Sequence, residues 1–105
     1  MPGRIRIDVE QQPGVAVFHL AGHLGIDAHR ELKDTCERHL ADPGVVEIRL
    51  DLQAIDSTDM TAIGLLLVLR ERGHALRKRV SLTGCGPNAR GGIGRAEMSR
   101  FFTVV

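Results

Sequence analysis

An α/β fold, with a mixed and mostly parallel sheet of about five strands and three helices, follows from three observations. Segments with two-residue alternation take turns with segments of helical spacing, and the connections between them are short. A strand-like VVEIRLDL, a polar QAIDSTD and an apolar MTAIGLLLVLRER follow one another from Val45 to Arg72, and the rest of the chain is arranged around them. At 105 residues, 43% apolar and 26% charged, the chain is sized and composed as one globular domain over 1–105.

From Arg4 to Glu10, Ile5, Ile7 and Val9 alternate with charged residues, the pattern of a strand with one wet face. Pro13-Gly14 reads as a tight turn into a second strand, Val15 to Leu20, that is apolar on both faces. Gly22-His23-Leu24-Gly25 is expected to break that strand and place His23 in a loop. Asp27 can cap a helix running to about Leu40, with Ala28, Leu32, Cys36 and Leu40 on one stripe, which makes Cys36 a small core residue.

Val45 to Leu52 is the third strand, with Val46, Ile48, Leu50 and Leu52 on one face. Ser57, Thr58 and Asp59 are successive N-cap residues, and the second helix can start from any of them. That helix is apolar nearly all round from Ile63 to Leu69, so leucines it cannot bury become a partner surface. Val80 to Thr83 forms a fourth strand, Pro87 opens a third helix weakened by glycines as far as Met98, and Phe101 to Val105 closes the sheet with Phe101 or Phe102 in the core.

Several function classes lack support. Fourteen Lys and Arg against thirteen Asp and Glu leave a charge of +1, so no general attraction to nucleic acid follows. The cluster Arg70, Arg72, Arg77, Lys78 and Arg79 is interrupted by Glu71, and no aromatic residue interleaves it. The longest apolar run, Ala62 to Leu69, is far short of the roughly 20 residues of a membrane span. With no apolar signal region in MPGRIRIDVE, a cytoplasmic location without direct membrane insertion is expected.

The two cysteines fit neither a disulfide scaffold nor a CxxC site, and no two of the five histidines have the four-residue spacing of a helical zinc site. Ser57 lacks a GxSxG elbow, and TGCGPNARGGIG matches neither phosphate-loop pattern. No cofactor, no metal and no enzymatic activity are therefore expected. What remains is a hydroxyl-bearing connector at a helix start, where a phosphate would meet the positive end of the helix dipole and alter any partner surface nearby.

The strand VVEIRLDL, its connector, the helix ending LLVLRER, the strand VSLTG, the closing MSRFFTVV and the early GHLGID together resemble a STAS domain, the fold of bacterial anti-sigma factor antagonists and of sulphate-transporter tails. In that family the connector carries Asp-Ser-Ser/Thr-Gly-Leu-Gly, and a partner kinase that is itself an anti-sigma factor phosphorylates the first Ser. Two alignments are open. By letters, Asp56-Ser57-Thr58 matches, with Asp59 in place of glycine. By spacing, the motif Asp falls eight residues after Asp51, at Asp59, and Asp59-Met60-Thr61-Ala62-Ile63-Gly64 takes the motif without a gap.

The gap-free alignment is preferred, and it puts Met60, which has no hydroxyl, at the phosphoacceptor position. The resemblance then implies a regulator that docks Ser57, Thr58, Asp59, Met60 and Thr61, with His23, Ile63, Gly64 and Leu67, on an anti-sigma factor or serine kinase; Thr61, Ser57 or Thr58 are the substitute acceptors. A serine phosphatase is a further partner of such pathways. The alternatives are a STAS accessory subunit of an ATP-driven lipid transporter and a nucleotide or small-ligand sensor using the first-helix start.

Overall fold

The computed structural model describes residues 5–85, 94 and 98–105. β1 (Arg6–Gln12) and β2 (Val15–Leu24) form the antiparallel hairpin, turning at Pro13-Gly14. A 3-10 turn (Ile26–Ala28) leads into α1 (His29–Leu40), then β3 (Glu47–Thr58), α2 (Ala62–Ala75), β4 (Arg79–Thr83) and the two-residue β5 (Thr103–Val104). The sheet order is β1-β2-β3-β4-β5, and every pairing after the hairpin is parallel. Parallel neighbours need a crossover, which α1 supplies between β2 and β3 and α2 between β3 and β4.

Both helices press on the same apolar face. Ala28, Leu32, Cys36 and Leu40 of the first helical stripe join Ala62, Leu65, Leu66 and Leu69 of α2 in one buried cluster with Phe18, Leu20, Ile48, Leu50 and Leu82. Each of the Leu, Ile and Phe side chains contributes about 1.5–3 kcal/mol by leaving water. Cys36 lies in this core, and burial first, then the Glu37 charge, pushes its thiol up to about 12, so it is not a reactive thiolate. Arg72 on α2 donates two hydrogen bonds, of 2.6 and 3.0 Å, to the Glu37 carboxylate and ties the helices on their wet side.

The opposite face of the sheet carries charge. His19 of β2 faces Asp51 of β3 through Nδ1 at 2.8 Å and Glu10 of β1 through Nε2 at 3.1 Å. Two carboxylates on two ring nitrogens favour imidazolium, so the His19 pKa is raised, by Asp51 first and Glu10 second. Nearby, Glu47 accepts from Arg49 and from the buried Ser81 hydroxyl.

Four sequence expectations need correction. Two α-helices, not the expected three, have their bounds among the described residues; the segment expected to hold the third, from Pro87 to Met98, falls almost wholly outside them, with Met98 at its end helical. Val46 is 62% exposed while Val45 is 3% exposed, because the strand begins only at Glu47 and its alternation does not reach back to these two residues. The closing strand has two residues rather than five, with Phe102 in the core and Phe101 half out of it.

The fourth correction positions the site. β2 does not stop at Leu20, nor β3 at Leu52: both run on, pairing Gly22 with Ile55, His23 with Ser57 and Leu24 with Thr58. The sequence GHLG has poor strand propensity, but each strand satisfies the other's backbone groups, and two register shifts, between His19 and Ala21 and between Gly22 and His23, each take up an extra residue of β3. β4 leaves β3 at Asp51, so this stretch of β2 and β3 is a two-stranded extension beyond the body of the sheet.

Candidate functional site

The extension ends in the connector between β3 and α2. Ser57 and Thr58 are its last strand residues rather than helix caps, and α2 starts at Ala62 with Thr61 at the N-cap position and no side-chain cap bond there. Asp59 organises the junction. Its carboxylate accepts the Ile26 N–H at 2.9 Å, the Thr61 N–H at 2.8 Å and the Thr61 hydroxyl. The Asp59 N–H donates to the Leu24 carbonyl at 3.3 Å. One side chain thus joins the entry to α1 and the entry to α2.

Three donors stabilise the ionised carboxylate, and Asp59 is held down to about 2, by the Thr61 hydroxyl first, then the Ile26 and Thr61 N–H groups, with a smaller contribution from His23. The approach of the two loops leaves no room for a side chain at Gly25. A Cβ there would lie 2.2 Å from the Asp59 carboxylate and 2.6 Å from the His23 ring.

His23 therefore sits in a strand facing the junction, not in a loop. Its Nδ1 is 2.7 Å from the Ser57 hydroxyl oxygen and its Nε2 is 3.7 Å from Asp59, while the Ser57 hydroxyl donates to Asp56 at 3.1 Å. Ser57, His23, Asp59 and Thr61 thus form one polar cluster. Met60 belongs to none of these contacts, and its side chain is 100% exposed.

Along α2, Ile63 and Leu67 are half-buried against the core and Gly64 is exposed, with open space where a Cβ would stand. Val68, 41% exposed and four residues after Gly64, extends this strip, and Ile26, 66% exposed, is an apolar residue at the α1 entry bonded to Asp59. Sequence reasoning missed both. The i, i+4 relation of Val68 to Gly64 is a signal that finds the first; Ile26 stands out only as an aliphatic residue between Gly25 and Asp27. The double clamp on His19 had no sequence signal, because it depends on the pairing of three strands.

No group of three His, Cys, Asp or Glu among the described residues is placed to hold a metal ion. No helix among them is long and apolar enough to cross a membrane. The arrangement offers a rigid polar junction beside an apolar strip, a geometry suited to contact with another macromolecule.

Comparison with known proteins agrees on the architecture. An anti-sigma factor antagonist from Mycobacterium paratuberculosis superposes with a TM-score of 0.78 at 20% identity, covering 99% of this chain and 87% of that one. The anti-sigma factor antagonist SpoIIAA in its unphosphorylated form gives a TM-score of 0.71 at 16% identity, over 95% of this chain and 87% of its own. At such identities the likeness is one of fold. A STAS-domain containing protein of Pseudomonas aeruginosa (strain UCBPP-PA14) is 26% identical over 87 residues, 83% of this chain and 84% of that protein. A family model described as "Mlab, STAS domain" matches residues 7–104, and with almost the whole chain inside that match, the protein belongs to the STAS domain family.

Proposed function

We propose that this chain is an anti-sigma factor antagonist-like regulatory protein, not an enzyme, which binds a kinase-type anti-sigma partner through the connector Ser57–Thr61 and the first turns of α2. The observation that carries the reading is Met60: fully exposed, one residue after the anchored Asp59 and directly before the N-cap of α2. Asp59 bridges the starts of both helices, whereas Asp56 is exposed and accepts a hydrogen bond from the neighbouring Ser57, which supports aligning Asp59 with the family's motif Asp. Met60 then occupies the phosphoacceptor position. The unmodified surface is the binding form, and this protein lacks the usual means of switching it off.

The test begins with tagging the protein, recovering it from its own cells and identifying what accompanies it by mass spectrometry. A histidine-kinase-like ATPase is the expected partner, with a serine phosphatase as a further member of the pathway. The Met60→Ser variant should then gain phosphate from that kinase at residue 60. A kinase that binds the variant tightly and leaves it unmodified defeats the alignment.

The absence of a hydroxyl at Met60 also favours a second reading, an accessory subunit of an ATP-driven lipid transporter, in which no phosphoswitch operates. Recovery of transporter ATPase and permease subunits in the same experiment selects it over the first.

A further inference from the structure

A cavity of about 450 Å³ lies at the other end of α2 from the connector, between that helix, the start of β4 and the closing residues of the chain. We propose that this cleft binds a phosphate-class oxyanion of metabolite size. The volume is in the range of small-molecule sites. Arg70, His74, Lys78, Arg79 and Arg100 line it, and none of the described lining residues is acidic. In a chain whose Lys and Arg outnumber its Asp and Glu by only fourteen to thirteen, this is a local concentration of positive charge.

Cations near a helix C-terminus often serve only to offset the helix dipole and meet its last carbonyls. Here that need is largely met by other groups. The Gly73 carbonyl accepts from the Leu76 and Lys78 N–H groups, and the His74 carbonyl from the Arg77 N–H. Lys78 sends its ammonium to the end of α1, donating to the Leu40 and Asp42 carbonyls at 2.6 and 2.5 Å. Lys78 is thereby committed to the fold and Arg79 pairs with the Glu47 carboxylate at 3.6 Å, which leaves Arg70, His74 and Arg100 as the lining cations for an incoming anion.

Arg70 is held in place. Its guanidinium lies 5.9 Å above the Phe102 ring, and its two terminal nitrogens donate to the Phe101 carbonyl and to Glu71. Its Nε is buried with no hydrogen-bond partner among the described residues. That donor is closed off from solvent in this arrangement, so Arg70 offers an oxyanion a fixed positive charge at the wall of the cleft. A planar fork fixed against an aromatic ring loses little freedom on binding, which is why arginine suits phosphate recognition.

The probe is inorganic pyrophosphate, titrated into the full chain at constant ionic strength and followed by calorimetry and backbone amide shifts. Saturable one-to-one binding is expected, with the shifts centred on Arg70, His74 and Arg100, and none with chloride at equal ionic strength. Arg100→Gln combined with His74→Gln, both at exposed positions, should weaken binding at least tenfold while leaving the melting temperature unchanged. Arg70→Lys, which keeps the charge and removes the fork, should weaken it by a similar factor. A linear, non-saturating response, an equal response to chloride, or full affinity in the double variant overturns the proposal; so does saturation of the cleft by an acidic peptide that pyrophosphate cannot displace. The connector takes no part in this experiment, so its outcome is separate from the partner-binding reading.

Discussion

The two helices lie on the same face of one sheet, yet they present opposite outsides. On α1 the residues off the core stripe include Arg30, Glu31, Lys33, Asp34 and Glu37, a surface made for water. In the first two turns of α2 Gly64 and Val68 are exposed, Ile63 and Leu67 are half-buried at the edge of the core, and no charge occurs before Arg70. Packing in the core accounts fully for Ala62, Leu65, Leu66 and Leu69 and in part for Ile63 and Leu67, which leaves Val68, 41% exposed, as apolar surface. The difference separates what the fold requires of a helix from what remains on its surface for a partner to meet.

Core substitutions give the largest effect and test the shared half of the comparison. Leu32→Ala in α1 and Leu66→Ala in α2, each wholly buried, should both cost about 2–5 kcal/mol in urea unfolding. A cost below about 1 kcal/mol for Leu66→Ala is too small for a side chain in the common core.

Two glycines in α2 then divide that helix in half. At Gly73 a Cβ would lie 2.6 Å from Val80 Cγ2 and 3.1 Å from the Lys78 carbonyl oxygen, so Gly73→Ala should destabilise by about 1–3 kcal/mol. At Gly64 the space is open, and Gly64→Ala should stabilise by about 1 kcal/mol through helix propensity alone. Thermal unfolding reads both, as shifts of opposite sign and about 4–8 °C per kcal/mol for a domain of this size. Loss of stability in both variants would mean that Gly64 is needed inside this chain and is not spare surface.

The smallest effect on stability carries the sharpest functional contrast. Val68→Lys, at a 41% exposed position, should change unfolding by no more than about 0.5 kcal/mol yet abolish binding to the recovered partner. Lys33→Ala on the outer side of α1, measured alongside, should leave that binding intact. Equal binding by both variants removes the functional difference between the helices.

Elements that satisfy themselves locally were readable from their residues. The steps of four from Ala28 to Leu40 place α1 and its core stripe, and Pro13-Gly14 between two alternating runs places the hairpin. Asp59 reads in the sequence as a helix cap or motif residue, and the structure shows it as a bridge between two helix starts. GHLG reads as a strand break and QAIDSTD as a loop because neither has the composition of a strand. They are strands because each lies beside the other, a relation between residues over thirty positions apart.

The sequence by itself determined the alternation of strands and helices, the apolar stripes that form the core, and the surplus of apolar residues on α2. Those are periodic properties, and a period survives in one dimension. Tertiary structure alone decided that His23 meets Ser57 and Asp59, that His19 is clamped between Glu10 and Asp51, and that Arg70, His74, Lys78, Arg79 and Arg100 line one cleft. Each of these depends on strand pairing or helix placement that brings distant charges within a few ångströms, where electrostatic energy falls off with distance in space and is indifferent to distance along the chain.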